Sequence, residues 1–263
     1  MKPYYEQDGV TLYHGDNVQT MHEAIPDQSI DLVVTSPPYD NLRTYGGHTW
    51  DFEGLAAELW RTIKPGGVVV WIVNDATVNG SETGTSFRQA LHFKEIGFRL
   101  HDTMIYLKEQ LAFPDSVRYY NAFEYMFVFS CGDPKAVNLI ADRVNVSAGR
   151  DVHGNERAKD GALRPRACAG NIIEEKGIRW NWWKIGHQKR GIETNHPATF
   201  PESLARDHIL SWSNEGDTIL DPFSGSGTTL KMARLMGRRG IGIEIHQAYC
   251  DIAAERLRQR LLF

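Results

Sequence analysis

The pattern that most restricts this chain is an alternation of short β-branched apolar runs with stretches of helical period. Residues 30–34 form an apolar run that closes on Pro37-Pro38, which predicts a buried strand. Residues 50–64 carry Phe52, Leu55, Ala56, Leu59, Trp60 and Ile63 at helical spacing. Pro65-Gly66-Gly67 ends that helix, and 68–73 reads as a second buried strand. Segments 98–107 and 122–130 predict two more strands, antiparallel and at the sheet edge. Beyond Cys131 the periodicity weakens until about Arg179, so 131–180 reads as an inserted region. The pattern then resumes, with a helix over 201–212, a strand at 218–221, a helix over 228–236, a strand at 240–244 and a last helix from Gln247. The expected fold class is α/β: a doubly wound, mostly parallel sheet with an antiparallel edge strand and a small insert.

A chain of 263 residues, 41% of them hydrophobic, suits one large α/β domain with a full core. No apolar run is long enough to cross a bilayer. The first ten residues lack the charged-then-apolar pattern of a secretion signal, so a cytoplasmic location is expected. Cys131, Cys168 and Cys250 are too scattered for a disulfide framework or a CxxC metal site. The histidines show no ligand spacing, and no metal is expected. A net charge of −4 argues against a protein that merely coats nucleic acid, but a cleft responds to nearby charges and a local basic groove stays open.

Two constellations carry chemistry. The first is Thr35-Ser36-Pro37-Pro38-Tyr39, at the carboxyl end of an expected strand, where ligands of open α/β sheets bind. The prolines stiffen the backbone and remove two N–H donors, leaving nearby carbonyls as acceptors. An amino group conjugated to an aromatic base is a poor nucleophile, because its lone pair belongs to the ring system. Hydrogen bonds from its N–H groups to the Ser36 hydroxyl and the Pro37 carbonyl would draw the nitrogen toward tetrahedral geometry and free the lone pair. Tyr39 offers a face on which an extruded base could stack. A rigid strand-to-loop turn is the plainer reading of the same residues.

The second runs from Asp221 through Pro222, Phe223, Ser224, Gly225, Ser226 and Gly227 to Thr228-Thr229, again where a strand meets a helix. Glycines let backbone approach a ligand, and a helix N-terminus offers free N–H groups to a carboxylate. Glu244, at the end of the next strand, is spaced to accept hydrogen bonds from ribose hydroxyls. The series marks a nucleoside-cofactor site, although the third glycine of a dinucleotide fingerprint is missing.

Together these motifs resemble those of the β-group amino DNA methyltransferases, which make N4-methylcytosine or N6-methyladenine. The resemblance covers most of the chain, and the order of motifs, catalytic first and glycine loop last, is that of the β group. It implies a Rossmann-like methyltransferase fold over 1–263, S-adenosyl-L-methionine as cofactor, and double-stranded DNA as partner, with 131–180 as the target-recognition region. Gly15-Asp16 is similar to the motif whose acid contacts the cofactor adenine, and Lys64-Pro65-Gly66-Gly67 matches the segment before the fifth strand. His196-Pro197-Ala198-Thr199-Phe200-Pro201-Glu202 is similar to the motif that closes over the methionine part. The implied catalytic residues are Ser36, Pro37, Pro38 and Tyr39. The implied cofactor residues are Asp16, Thr35, His196, Pro197, Asp221, Pro222, Phe223, Ser224, Gly225, Gly227, Thr228 and Glu244.

Within the insert, Arg143, Arg150, Arg157, Arg164, Arg166 and Arg179 are candidates for DNA contact, sharing their stretch with acids that would equally suit a solvated surface. Trp180, Trp182 and Trp183 read as packing residues, and the polar loop 40–49 as a border of the base pocket. Ser36 at the head of its motif tilts the target toward cytosine N4, with adenine N6 as the alternative. An RNA amino-methyltransferase, a dinucleotide-dependent oxidoreductase and a non-enzymatic DNA-binding protein are the rival readings. The oxidoreductase would leave Ser36-Pro37-Pro38-Tyr39 without a task. The resemblance leaves room for a homodimer and for a partner restriction endonuclease.

Overall fold

The structure is a computed structural model that describes residues 1–38, 50–108, 117–166, 168, 170–186 and 201–259. Its main body holds Met1–Asn138 and Asn181–Phe263, while Leu139–Trp180 form a second compact unit. The strands of the main sheet are β1 (Tyr5–Gln7), β2 (Val10–His14), β3 (Ile30–Thr35), β4 (Ile63–Val73), β5 (Arg99–Lys108), β6 (Phe123–Ser130), β7 (Trp182–Ile185), β8 (Thr218–Asp221) and β9 (Arg239–Glu244). They lie in the order β1-β2-β9-β8-β3-β4-β6-β5-β7. The block from β2 to β4 is parallel throughout.

The helices are α1 (Asn17–Ala24), α2 (Phe52–Thr62), α3 (Thr85–Glu95), α4 (Glu202–Trp212), α5 (Thr228–Leu235) and α6 (Gln247–Arg258). They cover both sheet faces, as period-two side-chain alternation requires. Val33, Val69 and Trp71 pack with Met21, Leu55, Leu59 and Phe93 of α1 to α3. Leu32, Val34, Val68 and Val70 point the other way, toward Leu204, Ile209 and Met232 of α4 and α5. A third cluster seats α6 through Cys250, Ala253 and Leu257 against Val10 and Leu12. This is the doubly wound α/β architecture expected from the alternation.

Local chemistry sets the boundaries. Asp16 caps α1 by accepting the Gln19 N–H at 3.0 Å, and Asp51 caps α2 by accepting the Gly54 N–H at 3.0 Å. The second of these helices stops at Thr62, two residues before the expected end, and β4 begins at once with Ile63 extended at φ −70°, ψ 136°. Pro65 disfavours helix in the residue before it, and Ile63 gains a partner in Ile30. The antiparallel pair β5–β6 forms as expected but is not the edge. Strand β6 lies inside the sheet between β4 and β5, and β7 adds parallel to β5 beyond them. The antiparallel edge strand is β1, paired with β2 at the other side.

Of the three tryptophans read as packing residues, only Trp183 is buried. Trp182 is 47% exposed because alternate side chains of β7 face opposite sides, and Trp180, which precedes the strand, is 54% exposed. Residues 131–138 hydrogen-bond to the main body, with Cys131 N to Gly67 O at 3.0 Å, Lys135 N to Gly66 O at 2.9 Å and Asn138 N to Ser211 O at 2.8 Å. The second unit therefore starts some eight residues later than expected.

Candidate active site

The carboxyl ends of β2, β9, β8 and β3 stand side by side, and each delivers one part of the site. Gly15-Asp16 follow β2, Glu244 ends β9, Asp221 ends β8, and Thr35-Ser36-Pro37-Pro38 leave β3. Between β8 and β3 the winding reverses: β3 leads through α2 to β4 on one side, and β8 leads through α5 to β9 on the other. Such a reversal opens a crevice above the sheet, the usual ligand position in this architecture.

Side chains tie the two motifs together there. The Thr35 hydroxyl donates to Asp221 Oδ1 at 2.7 Å, and the Phe223 N–H donates to the same oxygen at 3.1 Å. Thr229, in the first turn of α5, donates to the Val34 carbonyl at 3.3 Å. Burial pushes the Asp221 carboxyl up to about 6, against the pull of its hydrogen bonds. Glu244 is also raised by burial; its two oxygens accept the Gly225 N–H at 2.9 Å and the His246 N–H at 2.8 Å.

The loop between β8 and α5 holds its shape through glycine. Gly225 and Gly227 sit at φ 51° and 77°, and a Cβ on Gly227 would stand 3.1 Å from Ala253 Cβ. Gly227 caps α5 without any side-chain hydrogen bond, so the first amides of the helix stay available to a carboxylate. Phe223 is half-buried with the Trp50 ring edge-on at 5.1 Å. Two buried polar atoms beside the loop, Ser224 Oγ and Asn17 Oδ1, have no protein partner among the described residues. Asp16 is exposed.

Three contributors escaped the sequence reading. Asn17 donates through Nδ2 to the Pro222 carbonyl at 3.5 Å, and only its place next to Gly15-Asp16 could have marked it. Trp50 carried no signal beyond helical periodicity. Arg256, on α6, donates to the Ser226 carbonyl at 2.6 Å and to Ser226 Oγ at 2.8 Å, and pairs with Glu202 at 3.0 Å. Tyr39, His196, Pro197 and the loop 40–49 lie outside the described residues.

The second unit consists of small hairpins, pairing Asn155–Arg157 with Leu163–Pro165 and Arg143–Val144 with Lys176–Gly177. Its arginines fall into two groups. Arg179 forms a two-point pair with Asp142 at 2.7 and 2.5 Å and holds that carboxyl below its usual range. Arg143 donates to Ile178 O and lies 4.2 Å over the Trp180 ring, Arg164 pairs with Asp160 at 2.6 Å, and Arg157 donates to Gly161 O. Arg150 and Arg166 are exposed and without a side-chain partner among the described residues. Among the described residues no group of His, Cys, Asp and Glu is placed to hold a metal ion, and no helix is long and apolar enough to cross a membrane.

Comparison with known proteins shows the family. Residues 30–255 match the DNA methylase family. The chain is 56% identical over 249 residues to the orphan methyltransferase M.BamHII of Bacillus amyloliquefaciens, covering 92% of this chain and 94% of that one. Among solved structures it superposes on the PvuII DNA methyltransferase (cytosine-N4-specific) with a TM-score of 0.71 at 22% identity, over 100% of this chain and 91% of the other. It also superposes on TTHA0409 of Thermus thermophilus, solved in complex with S-adenosyl-L-methionine, with a TM-score of 0.61 at 25% identity over 93% of each chain. The chain belongs to the DNA methylase family. Its cofactor is S-adenosyl-L-methionine, and its activity is methyl transfer to DNA. The residues around the loop would suit that cofactor: uncapped amides for a carboxylate, Glu244 for ribose hydroxyls, Asp16 for the adenine amino group, the Phe223 ring for a flat face, and unpartnered Ser224 Oγ and Asn17 Oδ1 as further polar contacts.

Proposed function

We propose that the protein methylates the exocyclic amino group of a base flipped out of double-stranded DNA, and that the base is cytosine, modified at N4. The observation that supports this reading is the hydrogen bond from Thr35, at the strand end that leads into Ser36-Pro37-Pro38, to Asp221 at the start of the glycine loop, at the switch point of the sheet. It brings an amino-group acceptor site and a cofactor site to one crevice. S-adenosyl-L-methionine supplies an electrophilic methyl group there. Ser36 Oγ and the Pro37 carbonyl accept the two amino N–H groups as the nitrogen becomes tetrahedral, and Tyr39 stacks on the extruded ring. Asp16, Phe223, Ser224, Gly225, Gly227, Thr228 and Glu244 hold the cofactor, with His196-Pro197 closing on its methionine end.

Ser36 at the head of the motif is what favours cytosine over adenine. In the second unit, Arg150 and Arg166 are the arginines with guanidinium groups left for phosphates or base edges, and the unit acts as the target-recognition region. A cytoplasmic location follows from the substrate, and a restriction endonuclease is not needed beside the enzyme for methylation. The test is to incubate unmethylated bacterial DNA with the protein and S-adenosyl-L-methionine, digest to nucleosides and identify the product by mass spectrometry. N4-methyldeoxycytidine is expected. N6-methyldeoxyadenosine would overturn the choice of base, and absence of any methylated nucleoside would overturn the amino-group reading.

A further inference from the structure

Thr35, Asp221 and Thr229 have almost no surface on which to meet a ligand. Their exposures are 0%, 1% and 0%. The one hydroxyl proton of Thr35 is committed to Asp221 Oδ1, which also accepts the Phe223 N–H at the start of the glycine loop. Thr229 reaches from α5 back to the Val34 carbonyl. These bonds begin where backbone pairing between β3 and β8 ends, since the paired residues are Ile219 with Leu32 and Leu220 with Val33. On the other side of β3, pairing with β4 continues to Thr35 opposite Trp71. Beyond Thr35 the prolines have no N–H with which to extend a ladder. The last two residues before Ser36 are thus held to the cofactor side of the sheet by side chains.

We propose that Thr35, Asp221 and Thr229 form a positioning brace, which aims Ser36 and Pro37 at the amino group and does not itself bind the cofactor. The brace rests on Ser36 and Pro37 being the acceptors of the amino protons. It makes the catalytic strand end and the glycine loop one rigid piece, so the base acceptors and the cofactor loop keep a fixed separation. Loss of one tie lets the Ser36 segment drift while the glycine loop keeps its Glu244 bonds. Rate should therefore fall without a matching fall in cofactor affinity. A misplacement of about 1 Å can cost on the order of a hundredfold in rate.

The experiment uses the full chain, unmethylated bacterial DNA and radiolabelled S-adenosyl-L-methionine. It compares single-turnover methylation at saturating reactants with calorimetric titration of the cofactor. Thr35→Val keeps the shape and removes the hydroxyl, and its rate should drop about ten- to hundredfold with cofactor affinity held within about twofold. Thr35→Ser should recover most of the rate. Thr229→Val cuts the other tie and should shift rate and affinity in the same way; it decides the matter if circular dichroism shows Thr35→Val unfolded. A wild-type rate in the valine variants overturns the brace. So does cofactor affinity falling in step with rate, which would make these residues ligands. Ser36→Ala separates the layers: if it methylates at the wild-type rate, the acceptor reading fails and takes the brace with it. If Ser36→Ala is slow while both valine variants are fast, only the brace falls.

Discussion

Gly225 donates its backbone N–H to Glu244 Oε2 at 2.9 Å, while the other oxygen of Glu244 takes the His246 N–H at 2.8 Å. The carboxylate thus shapes the glycine loop, in addition to the ribose contact proposed for its remaining lone pairs. Glu244→Ala leaves both part-buried amides without an acceptor, at about 1 kcal/mol each. The expected outcome is a lower melting temperature together with weaker S-adenosyl-L-methionine binding in a calorimetric titration. Glu244→Gln keeps one acceptor but turns an amide donor toward a backbone donor, so it should also lose affinity. Wild-type affinity and melting temperature in the alanine variant would remove Glu244 from the site.

Asp221 has a pH signature of its own. Burial raises its carboxyl from 3.8 to about 6, so the folded protein holds this proton more tightly than the unfolded chain does. Stability from this group therefore falls as pH rises from about 4 to 6. Above about 6 the buried charge carries a penalty of about 3 kcal/mol. Asp221→Asn keeps an acceptor for Thr35 and Phe223 and removes the charge. It should melt higher than wild type at pH 7.5, with the advantage shrinking toward pH 4. Glu244 on the neighbouring strand shifts in the same direction, and its charge adds to the rise at Asp221, so relief of that repulsion is part of the asparagine variant's advantage. An asparagine variant equally destabilised at both pH values would refute the burial argument.

Much of this was legible in the sequence because the relevant signals are local. The run at β3, the helical spacing of Leu55, Ala56 and Leu59, and the glycine loop each report their own structure, and the motif order joins them into one fold. Other features were hidden by their dependence on distant partners. Strand β7 has only four residues, too few for alternation to stand out, and it exists because β5 offers it an edge. That strand is also why β5 and β6 are not the sheet edge. The tie between Thr35 and Asp221 spans 186 positions, and no spacing rule connects them. Arg256 lies on a helix whose pattern says only that one face is apolar. The weak periodicity of the second unit is genuine, since its hairpins have strands of two or three residues.

The arginines of that unit should divide by their present partners. Arg150→Ala and Arg166→Ala should weaken DNA binding about equally on all sequences if they meet phosphates, and lower the slope of log affinity against log salt by about one each. If one of them reads a base edge, it should instead relax the methylated sequence at one position. Arg179→Ala breaks the pair with Asp142 and should mainly raise the susceptibility of 139–180 to protease. Fluorescence anisotropy across a salt series checks the first outcome and limited proteolysis the second. Unchanged salt dependence and site choice in the Arg150, Arg166 double variant would place DNA contact elsewhere.

The chemical step offers the sharpest division between a catalytic motif and a rigid turn. On the proposed mechanism, the hydrogen bonds from the amino group to Ser36 Oγ and the Pro37 carbonyl strengthen only while the nitrogen is becoming tetrahedral, so they would stabilise the transition state more than the bound base. Removing such a contact lowers kcat and leaves binding nearly unchanged. Ser36→Ala keeps the backbone acceptor and should lose rate by roughly tenfold, about 1.4 kcal/mol of barrier. Pro37→Ala retains the carbonyl but frees its φ and restores an N–H, so its aim is lost and the cost should be larger. DNA and cofactor affinities of both variants should stay near wild type. Single-turnover methylation with both reactants saturating isolates the chemistry from binding and product release. If both variants transfer the methyl group at the wild-type rate, Ser36-Pro37-Pro38 only turns the chain at the end of β3, and the amino group is activated by other residues.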